Sequence, residues 1–432
     1  MISLKKPSEK TNKKRLMTIF IVIVTGFLVA VFYCIIMGYY LGKSYPYDSF
    51  LFIASDRHND YFNTIIHTFN PYSSVTAGAG YFPFMYITLI PFALLPKFAS
   101  LVTYFFVFCL IYFVSSYNTL EYENKLQSLA VCLILFTISF PFLFLVDRGN
   151  VEAFVYLFVL LFVYFYRKKK FTTSTVFLAM AISCKFFPVI FAIIYLKDKK
   201  YKDFFKVTAF SLIFTLGSLL ILKGNLQMLI NNLSYFTKNY FVENWGLPFS
   251  HSIHTLFKSV IILLQQYHLL SPNHANSIVN FEISIYTYVV LFFIAVLAIY
   301  TLVFEKVAWR IVTLLTIGML LFANVSFDYR LIYLMIPIML FIISNERLTN
   351  KSNIFYAILF GLMLIPKNYY ITDFSYSTAN IGGIINPLLF IIMIVAIMKD
   401  GLKGKNISAA IKTYITELLP KKVLVEKVGP MI

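Results

Sequence analysis

Residues 16–41 read LMTIFIVIVTGFLVAVFYCIIMGYYL, a run without one charged side chain. A helix that crosses the apolar core of a bilayer needs about 20 mostly apolar residues, and this run is long enough. Lys5, Lys6, Lys10, Lys13, Lys14 and Arg15 precede it. A cleavable signal has an apolar core of about 7–15 residues and a small-residue cleavage site. The run is longer and has no such site. It is expected to persist as a first span, with its basic N-terminus on the cytoplasmic side.

The rest of the chain continues in the same way. Of 432 residues 59% are hydrophobic and 13% charged, against about 25% charged in soluble domains. So large an apolar excess cannot be hidden in a water-soluble particle. It excludes a soluble enzyme, a disordered chain and a disulfide scaffold. Long apolar stretches between short polar loops also exclude a β-barrel, whose strands alternate in sidedness. The net charge of +18 would point to nucleic acid in a soluble protein. Here no nucleic-acid motif exists, and cytoplasmic loops of membrane proteins collect Lys and Arg, so no nucleic-acid partner is expected. Cys34, Cys109, Cys132 and Cys184 lie inside apolar segments without metal-ligand spacing.

Span-like segments recur at 100–117, 126–146, 151–166, 206–222, 282–304, 308–323, 331–344, 353–365 and 383–398. The fold class is therefore an all-α polytopic membrane protein, a bundle of roughly 10–13 transmembrane or re-entrant helices. Segment 171–196 sets the topology. Arg167, Lys168, Lys169 and Lys170 precede it; Lys197, Lys199, Lys200 and Lys202 follow it. A single crossing would leave one cluster outside, against the positive-inside rule. Pro188 disfavours helix at the residue before it. The segment is thus expected to make two half-crossings, with Lys185 near the outer face beside a water-filled cavity.

Parity then places 42–80, the Asp147–Glu152 turn, 223–280, the Phe327–Arg330 turn and 366–382 outside. Most of the 37 Lys and Arg fall inside. Segment 82–96, bounded by Pro83 and Pro96, must be re-entrant or interfacial. Residues 1–398 form one integral membrane domain. Residues 399–432 form a basic cytoplasmic tail, in which Ile407, Ile411, Tyr414, Ile415 and Leu418 make one stripe of an amphipathic helix.

The polar residues with chemical potential gather in the outer segments. The first holds Asp56, His58, Asp60 and Asn63. A carboxylate there can serve as general base toward an attacking hydroxyl, bind a cation, or simply cap a helix in a solvated loop. In Asp147-Arg148-Gly149-Asn150-Val151-Glu152, Arg148 can chelate a phosphate through two parallel hydrogen bonds or pair with its neighbouring acid. Glu152 can bind substrate or cap the next helix. Lys185 and Arg330 offer further positive charge to an anionic lipid headgroup; snorkelling and an Asp328–Arg330 pair are the alternatives. In Trp245-Gly246 and Ser250-His251-Ser252-Ile253-His254, Trp245 can stack on a sugar and His251 can hydrogen-bond it. The two histidines share a helical face that also suits a metal, but no acid or cysteine accompanies them.

Taken in order, these pieces resemble the polyprenol-phosphate-mannose-dependent membrane glycosyltransferases, glycosyltransferase family 87 or DUF2029, within the wider GT-C fold. The matching motifs are Asp60-Tyr61-Phe62-Asn63, Asn70-Pro71-Tyr72, Tyr81-Phe82-Pro83, Arg148-Gly149-Asn150 with Glu152, the Ala-rich stretch 179–183 ending in Lys185 and Pro188, and more loosely Ser250-His251-Ser252. The family often has two prolines where this chain has Phe82-Pro83. The resemblance spans roughly residues 15–400 and implies a GT-C-like bundle whose first outer loop carries the catalytic carboxylate. The implied reaction moves a sugar, mannose or another hexose, from a polyprenyl-phosphate donor to a hydroxyl of a glycan or glycolipid acceptor, with inversion. Asp60 is favoured over Asp56 as catalytic acid residue; Arg148, Lys185 and Arg330 would hold the donor phosphate; His58, Asn63, Asn150, Glu152, Trp245 and His251 would bind substrate. Neither a metal nor another cofactor is implied. A transporter or flippase of lipid-linked sugar, a polysaccharide polymerase or ligase, and a structural subunit of an envelope glycan complex are the competing readings.

Overall fold

The computed structural model describes residues 9–73, 80–120, 125–222, 225–243, 247–346, 348–370 and 379–418. Trp245 and Gly246, the end of the tail from 419, and parts of the outer segments at 74–79 and 371–378 lie outside the described residues. Among these residues the chain is helical, apart from turns and two isolated β-bridges.

The uncharged run forms α1 (Glu9–Cys34), extended by a π-helical turn to Tyr40. Two short helices follow, α2 (Asn59–Ile65) and α3 (Pro83–Ala93). α3 is about 16 Å long at 1.5 Å per residue, too short to cross. Its first residues meet the 171–197 segment, through Phe82 N–H to Cys184 O at 3.0 Å. Its far end packs Phe92 on Tyr104, near the start of α4 (Lys97–Leu120). Both ends therefore stay at one end of the bundle, as parity required.

The expected span 126–146 is two helices, α5 (Lys125–Thr137) and α6 (Phe140–Arg148). Pro141 sits in the first turn of α6 and has no N–H to continue the α5 ladder. Ser139 is extended at the break, and Phe140 N–H turns instead to Leu364 O at 3.0 Å. α7 (Glu152–Arg167) is buried almost all round.

Segment 171–196 doubles back as expected. α8 (Phe171–Cys184) ends at Lys185, a 3-10 turn spans Phe187–Ala192, and α9 (Ile193–Lys197) returns. Ser174 Oγ near the start of α8 lies 2.8 Å from the Tyr195 hydroxyl in α9. Lys200 Nζ sits 4.2 Å from the Phe171 ring. The two basic clusters thus share one end, with Lys185 at the apex opposite.

α10 (Tyr201–Ile221) runs beside α8. The outer segment 223–280 is itself largely helical: α11 (Leu226–Thr237), α12 (Ile253–Gln266) and the start of α13 (Pro272–Val303). Each start is capped by a side-chain oxygen, of Asn225, Ser252 and Ser271, which satisfies N–H groups the helix leaves free. α13 is about 48 Å long and outreaches the roughly 30 Å apolar core. α14 (Ala308–Leu321) is wholly interior. A 3-10 turn at Asp328–Leu334 leads into α15 (Met335–Ile342). α16 (Asn350–Met363), α17 (Ile381–Leu402) and α18 (Ile407–Leu418) complete the order.

α7, α14 and α15 form the packed centre. α1, α4, α10, α13 and α17 are the long apolar helices able to cross a membrane, and they turn large apolar side chains outward, among them Leu28, Phe106, Leu220, Phe292 and Val395. In water that surface would be costly; against lipid it is the expected one. The five segments assigned outside by parity meet at one end: His58 N–H to Asp147 O (2.8 Å), Asn232 Nδ2 to Pro71 O (3.5 Å), His251 N–H to Ser326 O (2.8 Å), Asn368 Nδ2 to Phe50 O (3.2 Å) and Asn380 Nδ2 to Pro248 O.

Candidate active site

At that end lies a cavity of about 1000 Å³. Six of the residues singled out from sequence line it: Asp60, Asn63, Arg148, Asn150, Lys185 and Arg330. They come from α2, the α6–α7 turn, the hairpin apex and the 3-10 turn before α15.

α2 presents Asp60, Asn63 and Thr64 to the cavity, positions three and four apart on one helical face. Its other face buries Tyr61, whose hydroxyl lies 2.5 Å from Ser100 Oγ. Two devices bring α2 to the α6–α7 turn. His58 stands before α2 with φ +57°, and its Nδ1–H donates to Val146 O at 2.9 Å. Gly149 has φ +60°, and a Cβ there would lie 3.0 Å from both His58 Cα and Tyr61 Cβ. Only glycine fits this left-handed turn at so close an approach.

Arg148 does not pair with the adjacent Asp147. That acid accepts Phe52 N–H (2.9 Å) and pairs with Arg57 at 3.3 Å. Arg148 instead grips Asp60 with two nitrogens, Nε to Oδ2 at 3.2 Å and Nη2 to Oδ1. Its guanidinium lies 4.0 Å from the Phe52 ring centroid. Its Nη1 is buried and has no hydrogen-bond partner among the described residues, while the residue as a whole lines the cavity. Asn150 orders the same acid: its Oδ1 accepts Glu152 N–H (2.9 Å) and the Tyr81 hydroxyl (3.1 Å), which turns its Nδ2 toward Asp60 Oδ2 at 2.7 Å.

The second pair of cations centres on Glu152. Its carboxylate is wholly buried; Oε2 accepts Lys185 Nζ (2.7 Å) and Arg330 Nε (3.2 Å). Lys185 also faces the Tyr81 ring at 4.7 Å. Glu152 therefore neither lines the cavity nor only caps α7; it holds two cations from distant segments at the wall. Arg330 has this partner in place of Asp328, which faces His251 Nε2 at 2.6 Å.

The remaining sequence candidates lie elsewhere. Asp56 sits in the 3-10 turn Ala54–Asp56 and accepts Asn59 Nδ2 at 3.2 Å, off the cavity. His58 is behind it, against Phe105. His251 is buried between Asp328 and Asn386, whose Nδ2 donates to His251 Nδ1 at 3.1 Å. His254 Nδ1 lies 2.9 Å from the Glu282 carboxylate and its Nε2 3.0 Å from Phe241 O. The two histidines do not share a face. The residue missed by sequence reasoning is Tyr81, quoted there only within a motif. Its hydroxyl touches Asn150 and its ring touches Lys185, so it links the two halves of the site.

These features define a polytopic α-helical membrane protein in which, among the described residues, one carboxylate and three cations line an aromatic-walled cavity. The sequence model of glycosyltransferase family 87 matches residues 80–326, more than half of the chain. The chain belongs to glycosyltransferase family 87 and is a membrane glycosyltransferase, as the order of its motifs led one to expect. The matched stretch holds Arg148, Asn150, Glu152, Lys185 and His251; Asp60 and Arg330 fall outside it. Neither the curated proteins nor the solved structures yield a match to this chain.

Proposed function

We propose that the protein transfers a hexose, mannose being the first candidate, from a polyprenyl-phosphate sugar to a hydroxyl of a glycan or glycolipid on the outer face of the cell membrane. Both termini then lie in the cytoplasm. The observation that carries this reading is the gathering of Asp60, Arg148, Lys185 and Arg330 around one cavity at the end where the assigned outer segments converge. Cavities of about 300–1,000 Å³ suit small-molecule ligands, so this one has room for a sugar phosphate and the first isoprene units. Phe82, Leu233 and Phe236 give it an apolar wall beside Phe186, which is exposed on the outside of the hairpin apex. A prenyl chain would leave the cavity there.

In the proposed reaction the acceptor oxygen attacks the anomeric carbon from the face opposite the phosphate, which inverts the configuration. Asp60 takes the acceptor proton. The bond from the anomeric carbon to the phosphate oxygen breaks, and the prenyl phosphate keeps the electron pair. Arg148, Lys185 and Arg330, which line the cavity, face the charge that grows on it. Preorganised charges in a water-poor site are commonly the largest catalytic term. Arg148 also aims Asp60, which leaves fewer of the carboxylate's lone pairs free and directs the acceptor to the remaining one.

The test is transfer by the purified full chain in lipid nanodiscs, given short-chain prenyl-phosphate hexoses and a panel of glycan acceptors. Radiolabelled sugar should move to an acceptor, with inversion seen by NMR. No transfer from any prenyl-phosphate hexose, with transfer from a nucleotide sugar instead, would refute the donor class.

A further inference from the structure

The net charge of the anion site depends on a side chain that no ligand can touch. Glu152 is fully buried and absent from the cavity wall, yet its Oε2 binds both Lys185 Nζ (2.7 Å) and Arg330 Nε (3.2 Å), and its Oε1 accepts the Tyr333 hydroxyl at 3.4 Å. Resting on the donor class proposed above, we infer that Glu152 is a positioning residue whose buried charge limits the hold of Lys185 and Arg330 on the spent lipid phosphate, and so sets the rate of product release.

The balance of charge carries the argument. Before transfer, Asp60 and Glu152 offset two of the three cations, which leaves one positive charge facing the single negative charge of a phosphodiester donor. During transfer the acceptor proton moves to Asp60 and the electron pair of the broken bond goes to the phosphate. The site then carries two positive charges. The product is a phosphate monoester, whose second ionisation lies near pH 6, so it carries nearly two negative charges at neutral pH. Site and ligand are matched at both stages because Glu152 removes one charge throughout. Without it the cations would outnumber the anion at each stage, and the more highly charged product would gain most. Tight binding of product does not speed the chemical step, and product release limits turnover in many enzymes. A carboxylate that merely braced the wall would have a different signature: its loss would loosen both cations and weaken donor and product alike.

The experiment compares wild type with Glu152→Gln, which keeps the shape and an acceptor oxygen, in the full chain in nanodiscs. The probes are a short-chain prenyl-phosphate hexose and the matching prenyl phosphate. The variant should bind prenyl phosphate about tenfold or more tightly, the scale expected when a unit charge is removed a few ångströms from an anion. Its kcat should fall while the first turnover is not slowed, which gives a burst of one product per protein. An unchanged or weaker product inhibition constant, or a first turnover slowed as much as kcat, would overturn the inference. A wild-type measurement stands independently of how the variant folds. Prenyl phosphate and its methyl phosphodiester should inhibit wild type within a few fold of each other above the phosphate's second ionisation, near pH 6. A monoester preference of about a hundredfold, which two unopposed charges would give, would refute a balanced site. Absence of wild-type transfer from every prenyl-phosphate hexose would count against the donor class instead.

Discussion

At one end of the bundle Arg15, Arg310, Glu305, Glu346 and Asp400 interlock; at the other Asp60, Arg148, Glu152, Lys185 and Arg330 surround a cavity. Both sets are buried or half-buried, and both join segments far apart in sequence. At the first end Arg15 donates to Asn353 Oδ1 (2.7 Å) and to the carbonyls of Phe341, Ser344 and Glu346, which ties α1 to α15 and α16. Arg310 lies between Glu346 (2.6 Å), Asp400 (3.6 Å) and Glu305 (3.9 Å). Acids there outnumber the arginine they enclose. Burial raises the Glu346 carboxyl above its ordinary range, with Arg310 opposing it. At the second end cations outnumber acids, and Asp60, Arg148, Lys185 and Arg330 line a cavity. The same chemistry closes the bundle in one place and holds open an anion site in the other. An excess of cations beside a cavity, more than burial or pairing, separates the two.

That contrast can be broken by mutation. Asp60→Asn should lower transfer by about 10²–10⁴-fold, the usual contribution of a general base, with no fall in thermal stability in detergent. A variant as active as wild type would remove Asp60 from the chemistry. Arg310→Met should act the other way. Removing one partner of a buried pair costs about 3–5 kcal/mol, so the melting temperature should drop sharply while the folded fraction keeps its donor KM. A large change in KM with intact stability would mean that the two ends are not separate in function. Next in size is Gly149→Ala. A side chain at positive φ costs about 1–3 kcal/mol, and this one also presses on His58 and Tyr61. The α2 helix should move away from Arg148, so transfer should fall more than stability does. Equal losses in both would show the turn to be structural only.

How far the sequence foretold this arrangement varied with the range of the interaction. Spans were legible because lipid imposes a long apolar run on each. The hairpin at Lys185 was legible because two basic clusters cannot easily sit on opposite sides. The break at Ser139-Phe140-Pro141 carried its own signal, a proline at a helix start, which total hydropathy hid. The helices of 223–280 also had signals, in the capping residues Asn225, Ser252 and Ser271-Pro272. The partners of the charged groups were not legible. Asp147 beside Arg148, and Asp328 two residues from Arg330, read as local pairs, whereas Arg148 reaches 88 residues back to Asp60 and Arg330 reaches 178 residues back to Glu152. Such pairings are decided by how helices pack, and adjacency in the chain says nothing of that. The role of Glu152 as a buried counter-charge was hidden for the same reason.

The smallest predicted effect separates the two acids of the first loop, which sequence could only rank. Asp56 and Asp60 are four residues apart: Asp56 ends the 3-10 turn before α2, and Asp60 lies in the first turn of α2. Asp60 projects to Arg148 and Asn150, while Asp56 accepts one hydrogen bond, from Asn59, which lies at the first position of α2. An Asn at position 56 still offers an oxygen to Asn59, so the bond and the turn survive the change. Surface substitutions away from special features shift stability by no more than about 0.5 kcal/mol. Asp56→Asn should therefore keep both melting temperature and transfer within about twofold of wild type. A loss comparable to that of Asp60→Asn would move the catalytic carboxylate four residues back along the chain. It would also require the first loop to rearrange when the acceptor binds, because in the present geometry Asp56 does not reach the cavity.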